Sequence, residues 1–349
     1  MKALQLHAWK SEPELRDVAV PEPGPGQVLV RVLAAGACHS DLHLMHDFEP
    51  DQLDYDLPFT LGHETAGVIE ALGAGVEEGY GIEVGAPVAV YGPWGCGRCH
   101  NCRIGMENYC MHADEIGASG AGLGRDGGMA EHVLVPSPRL LVPLGDLDPV
   151  KAAPLTDAGL TPYHAIKRSL PKLVPGSTAA VIGVGGLGHV AVQLLDALSP
   201  ARVVAIDLDE RKLALAREVG ADHAIPSDDS AADEIRRLTG GRGCELVLDF
   251  VGAQATVDLA ARIGRTLGDI ALVGLGGGTL GVSFFGVPQE VSVATTYWGS
   301  ITELMEVVAL ARRGLVDVHV TRYSLDDALT AYRDLRAGKI DGRAVMVPA

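Results

Sequence analysis

A chain of 349 residues is long enough for two domains, each with its own core. A net charge of −17 argues against a nucleic-acid partner, whose phosphates call for Lys and Arg in excess. No apolar run approaches the roughly 18 residues of a membrane span, and a chain nearly half hydrophobic but poor in aromatics suits α/β packing.

The opening Met1-Lys2-Ala3-Leu4-Gln5 reads as a strand rather than a secretion signal, so the expected location is the cytoplasm. Pro21-Glu22-Pro23-Gly24-Pro25-Gly26 is a rigid connector between strands. The alternating run Val28-Leu29-Val30-Arg31-Val32 ends in Ala34-Ala35-Gly36-Ala37, and Cys38-His39-Ser40-Asp41-Leu42-His43 follows. That places a thiol, a hydroxyl, a carboxylate and two imidazoles at a strand end. Taken alone, the stretch reads equally well as a polar loop. His46 to Pro58 is irregular and acidic, a rim loop. After Gly62-His63-Glu64 come two further strands, Thr65 to Gly73 and Val84 to Val90. Glycines inside the first of these mark bends or close backbone approach. Many short strands and turns predict an antiparallel, barrel-like first domain.

Six cysteines occur, at positions 38, 96, 99, 102, 110 and 244. Four form the run Cys96-x2-Cys99-x2-Cys102-x7-Cys110, with glycines that permit sharp turns. Disulfides are improbable in an acidic chain of this size with no secretion signal. The spacing fits four thiolates closing a tetrahedral structural Zn²⁺ site, with an iron–sulfur cluster as the rival.

From about residue 150 apolar strands alternate with amphipathic helices, which implies a parallel sheet with right-handed crossovers. The predicted strands are Ala179 to Ile182, Arg202 to Ile206, Glu245 to Phe250, Asp269 to Val273 and Val291 to Thr295. The predicted helices cover His189 to Leu198, Asp209 to Val219, Ala231 to Leu238, Ala255 to Ile263 and Thr302 to Arg313. The last strand, Ala344 to Val347, is expected to return to the first domain.

Gly183-Val184-Gly185-Gly186-Leu187-Gly188 follows a strand and opens a helix, and Asp207 ends the next strand nineteen residues on. That is the full context of a dinucleotide turn: glycines let the backbone approach a pyrophosphate, and the helix N-terminus favours its charge. Asp207 would accept the adenosine ribose hydroxyls and repel a 2′-phosphate, so NAD is expected rather than NADP. Lys212 is either a further ribose contact or a solvated helix residue.

A second metal site would draw on distant residues. Cys38, His63 and Asp157 offer a thiolate, an imidazole and a carboxylate, three ligands with one position open. Singly, each also reads as a core cysteine, a turn histidine and a helix cap.

These motifs together resemble the zinc-dependent medium-chain alcohol dehydrogenases. The resemblance runs the whole length of the chain and rests on Cys38 to His43, Gly62-His63-Glu64-x2-Gly67-x5-Gly73-x2-Val76, the four-cysteine lobe and the glycine turn. Within the family it is similar to bacterial secondary-alcohol dehydrogenases and aryl carbonyl reductases, through Asn108-Tyr109-Cys110, the segment Pro154 to His164, and Tyr297-Trp298-Gly299. It implies a GroES-like β-barrel catalytic domain, residues 1–155 and 298–349, with a zinc lobe near 94–112, and a Rossmann NAD-binding domain, residues 156–297.

The implied roles are specific. Cys38, His63 and Asp157 would hold a catalytic zinc, with Glu64 behind them or as a transient ligand. Asp41 would orient His63. Ser40 would take the substrate proton and His43 would relay it. His39 and Arg343 match pyrophosphate contacts, and Lys212 matches a basic residue near the ribose. Tyr55 and Trp298 would line the substrate pocket. The implied cofactors are NAD and two Zn²⁺ per chain, and the implied assembly is a homo-oligomer, a tetramer before a dimer. The implied reaction interconverts secondary or aryl alcohols with ketones or aldehydes. A polyol or amino-alcohol dehydrogenase, or an inactive NAD-binding relative, are the alternatives.

Overall fold

The computed structural model describes residues 1–349. The chain divides into two compact units, Met1–Leu160 with Gly299–Ala349, and Thr161–Trp298. No helix is long and apolar enough to cross a membrane.

The first unit is built on the strand Val28–Gly36. It is buried on both faces over most of its length and is paired along both edges. Glu64–Leu72 runs antiparallel along one side. His132–Val135 and then Arg343–Val347 share the other. Pro87–Val90 and Leu141–Pro143 extend the sheet beyond Glu64–Leu72, and Val320–Ser324 extends it beyond Arg343–Val347. A smaller sheet joins Glu14–Asp17, Lys2–Leu6 and Phe59–Thr60. The C-terminal strand reaches Val28–Gly36 only at its end, pairing Val345 with Gly36 and Met346 with Ala35. It therefore flanks the point where the chain turns into Cys38. The expected strand over Val84 to Val90 is shorter, because Val84 lies in a turn closed by the Ala86 N–H on the Glu83 carbonyl at 3.0 Å.

The stretch after Cys38 is not a loop. His39–His46 is an α-helix capped at Cys38, whose N–H donates to Asp41 Oδ2 at 3.0 Å. An acidic residue at the third helical position reaching back to the cap is a helix-start device. It was masked in the sequence because Asp41 itself lies on the buried face, beside Leu42, Leu44 and Met45.

The second unit is a six-stranded parallel sheet. Its order is His223–Pro226, Arg202–Asp207, Thr178–Ile182, Cys244–Asp249, Gly264–Leu272 and Ser292–Thr295. Crossover helices Gly188–Leu198, Glu210–Glu218, Ala231–Leu238 and Gln254–Ile263 follow successive strands. The chain starts in the middle, at Thr178–Ile182, fills one side, then returns to fill the other. That is a doubly wound Rossmann topology, with its switch point beside Thr178–Ile182. Ile182, Val204, Ile206, Val247, Ala260 and Ile270 belong to its buried core.

Candidate active site and metal centres

Three different local structures bring Cys38, His63 and Asp157 together. Cys38 caps the helix His39–His46, His63 precedes the strand Glu64–Leu72, and Asp157 ends the short turn Ala153–Thr156. One donor atom from each lies within 4.8 Å of the others. Cys38 Sγ and His63 Nε2 each stand 3.6 Å from Asp157 Oδ2. A tetrahedral zinc with bonds of about 2.0–2.3 Å needs donors about 3.3–3.8 Å apart, so the set fits the metal and leaves a fourth position. The residues are 5%, 2% and 9% exposed.

The electrostatics point the same way. The Nδ1 of His63 faces Asp41 Oδ1 at 3.2 Å, which turns Nε2 toward the cluster. Burial opposes a charge on this ring. Asp41 and Asp157 outweigh it and lift the His63 pKa well above the ordinary imidazole value. Carboxylates and a thiol around one buried point favour a cation there, and a divalent metal satisfies that demand.

Behind the cluster lies an ion pair. Both oxygens of Glu64 accept from Arg343, at 2.7 Å from Nη2 and 2.8 Å from Nε, and Oε1 also accepts the Ala158 N–H at 2.9 Å. Arg343 Nη2 also stands 3.4 Å from Asp157 Oδ2. Gly36 makes the room, since a Cβ there would lie 1.9 Å from Glu64 Oε2. Glu64 thus stands outside the three-donor cluster. Arg343, 2% exposed, occupies a different setting from that expected of a pyrophosphate contact: its fork is engaged by carboxylates. On the other side Ser40 Oγ lies 3.6 Å from Cys38 Sγ.

The four lobe cysteines, Cys96, Cys99, Cys102 and Cys110, form the second cluster, their sulfurs within 4.8 Å of one another. The Cys99–Cys102 and Cys96–Cys102 pairs are 3.4 and 3.9 Å apart, too far for disulfides and close to the ~3.8 Å edge of a zinc tetrathiolate. Backbone N–H groups point at the sulfurs: Cys96 at Cys110, Cys99 at Cys96, Cys102 at Cys99. Such bonds pull Cys99 down to about 6, while burial and Cys99 push Cys102 up to about 12. Four thiolates this close need a cation to ionise together. Glu107 braces the lobe, accepting the Gly95 N–H at 2.7 Å and pairing with Arg139.

In the second unit the strand Thr178–Ile182 runs into Gly183, at φ +86°, and the helix opens at Gly188. A Cβ on Gly188 would lie 1.9 Å from the Gly183 carbonyl oxygen, so helix and turn pack together only with glycine there. Asp207 ends its strand and fixes the turn: Oδ2 accepts the Val184 N–H at 2.7 Å and Oδ1 the Asp209 N–H at 3.0 Å. A carboxylate has about four acceptor positions, so ribose hydroxyls can still be met. Lys212 stands half-buried on Glu210–Glu218.

Two family models match these units: the alcohol dehydrogenase GroES-like domain over residues 24–146 and the zinc-binding dehydrogenase over 186–313. An NAD-dependent alcohol dehydrogenase of Sulfurisphaera tokodaii is 36% identical over 361 residues, covering 100% of both chains. The chain belongs to the zinc-binding alcohol dehydrogenase family. Among solved structures, an alcohol dehydrogenase from Aeropyrum pernix superposes with a TM-score of 0.91 at 39% identity, covering 100% of both chains. Acetophenone reductase from Geotrichum candidum, solved with NAD, gives 0.85 at 32%, covering 99% of this chain and 96% of that one.

Other positions that the family resemblance singled out make contacts of their own. His39 is exposed on the first helical turn, and His43 pairs with Asp47 one turn on. Tyr55 bonds Ser119 Oγ at 2.6 Å and joins a ring group with Trp9 and Phe59. Trp298, buried in the second unit, sits edge-on to Tyr297 with centroids 5.2 Å apart. Two residues had no sequence signal. Tyr332 donates to Asp41 Oδ2 from 291 residues away at 3.0 Å, and His189 Nδ1 meets the Gly185 carbonyl at 2.9 Å inside the glycine turn. Each looks like an ordinary helix residue until the fold is known.

Proposed function

We propose that this protein is an NAD-dependent, zinc-dependent dehydrogenase that interconverts secondary or aryl alcohols with their ketones or aldehydes. The observation that carries the reading is the buried Cys38, His63, Asp157 cluster, with a free fourth position by its spacing and Ser40 beside it. What zinc supplies there is Lewis-acid stabilisation of negative charge on the substrate oxygen. Cys38, His63 and Asp157 would hold the metal, and Asp41 would keep the His63 ring turned with Nε2 toward it. Ser40 accepts the hydroxyl proton of the alcohol, and His43, oriented by Asp47, passes it toward solvent. NAD bound to the second unit would supply the hydride acceptor, so that oxidation of the alcohol would release one proton and yield NADH. In the second unit Gly183, Gly185, Gly186, Leu187 and Gly188 would cradle the pyrophosphate of the bound dinucleotide. Asp207 and Lys212 hold the adenosine ribose. Tyr55 would offer the substrate aromatic surface in the first unit, which favours apolar and aryl alcohols over polyols.

A second zinc at Cys96, Cys99, Cys102 and Cys110 has a structural role, because four protein ligands leave no position for substrate. The protein works in the cytoplasm as a homo-oligomer, a tetramer before a dimer. The edge strand Ser292–Thr295 and the exposed Val282, Phe284 and Phe285 just before it offer a surface for a second copy. A substrate panel tests the reading. NADH formation should be fastest with secondary and aryl alcohols and weak with polyols. No turnover across the panel, with NAD bound, would overturn it.

A further inference from the structure

Asp41 is the hub of the catalytic cluster. Its Oδ2 accepts the Cys38 N–H at 3.0 Å and the Tyr332 hydroxyl at 3.0 Å, while Oδ1 faces His63 Nδ1 at 3.2 Å. It therefore touches two of the three candidate ligands and one residue from the helix Ala328–Arg336. Asp41, His63 and Tyr332 are 0–3% exposed, so water cannot replace a lost donor. A buried carboxylate short of a donor rotates to find another, and that change frees the imidazole it was holding. Burial and the adjacent Asp41 charge both hold the Tyr332 proton in place, well above the ordinary phenol range, so its hydroxyl remains a donor.

We propose that Tyr332 is a positioning residue of the catalytic metal centre: its hydroxyl fixes Asp41, and through Asp41 it sets the orientation of His63 and the retention of zinc. This rests on reading Cys38, His63 and Asp157 as the metal site. The aromatic ring packs the helix against the unit, and the oxygen does the orienting, so Tyr332→Phe separates the two.

The test is a chelator titration of the zinc-loaded protein, following zinc release and activity together. In Tyr332→Phe the zinc whose loss abolishes activity should leave at about tenfold lower chelator concentration or below, as for other groups that orient metal ligands. The second zinc and the melting midpoint of the metal-stripped protein should match the unsubstituted protein. If Tyr332 acts through Asp41, combining Tyr332→Phe with Asp41→Asn should cost no more zinc affinity than Asp41→Asn alone; additive losses would mark a separate packing role and overturn the proposal. Unchanged zinc retention in Tyr332→Phe overturns it too. If that variant does not fold, Asp41→Asn decides: wild-type retention refutes the relay, and a tenfold loss supports it. A wild-type protein holding only the four-cysteine zinc would instead refute the metal-site reading itself.

Discussion

Replacing Arg343 with Met isolates the ion pair behind the Cys38, His63 and Asp157 cluster. In the native protein Glu64 is fully buried and both its oxygens are bound by the guanidinium, at 2.7 and 2.8 Å. Without Arg343 the carboxylate keeps only the Ala158 N–H. Breaking a buried pair from one side costs about 3–5 kcal/mol, because the remaining charge is left without a partner. For a unit of this size each kcal/mol moves the melting point by roughly 2–4 °C, so Arg343→Met should melt about 10 °C lower. The loss should depend on pH. Burial already raises the Glu64 pKa, and Arg343 is the strongest influence holding it down. Removing Arg343 lifts the folded-state pKa further above that of the unfolded chain. A carboxyl shifted upward stabilises the fold while protonated, and that contribution is lost as pH rises through the folded value. The deficit should therefore be smaller near about pH 5 than near about pH 8. Removing both charges, Glu64→Gln with Arg343→Met, should recover most of the lost stability. Thermal melts of the three proteins at the two pH values decide it. A single variant within about 2 °C of wild type, or a deficit that does not change with pH, would refute the buried-pair argument.

Three further outcomes are expected. Elemental analysis should find two zinc per chain, and Cys99→Ser should remove one while lowering the melting point; a single zinc in the unsubstituted protein would contradict the two-site reading. Ser40→Ala should cut turnover by about a hundredfold or more with zinc content intact, the scale of a lost proton-transfer group; near-normal turnover would exclude the proposed proton path. Asp207→Asn keeps a side chain that can accept the Val184 N–H yet removes the charge that on the proposed reading would repel a 2′-phosphate. Its ratio of NAD to NADP efficiency should fall at least tenfold, and an unchanged ratio would remove Asp207 from cofactor choice.

What was legible in the sequence follows from how each feature is encoded. The four-cysteine lobe and the glycine turn are local: ligand spacing and backbone demands sit within a few consecutive residues, so their chemistry is written in order along the chain. The parallel sheet was readable for the same reason, since each buried strand such as Thr178–Ile182 is a short apolar run. The helix His39–His46 was not, because its buried face carries Asp41, and a hydrophobic pattern cannot mark a carboxylate turned inward. Around the three-residue cluster, Asp41 and Glu64 were read through the family resemblance, but Tyr332 carried no signal and Arg343 was matched to a pyrophosphate instead of to Glu64. Arg343 and Tyr332 come from the C-terminal segment, where an arginine at the start of a strand and a tyrosine on an amphipathic helix look like surface and core residues. Their partners are fixed only when Arg343–Val347 pairs with the end of Val28–Gly36. That one register carries Arg343 to Glu64, and the helix before it carries Tyr332 to Asp41. On the proposed reading the last residues of the chain would thus orient ligands set among its first 160. Truncating or slipping the final strand should therefore loosen the catalytic metal before it disturbs the four-cysteine lobe, whose four ligands all lie between positions 96 and 110.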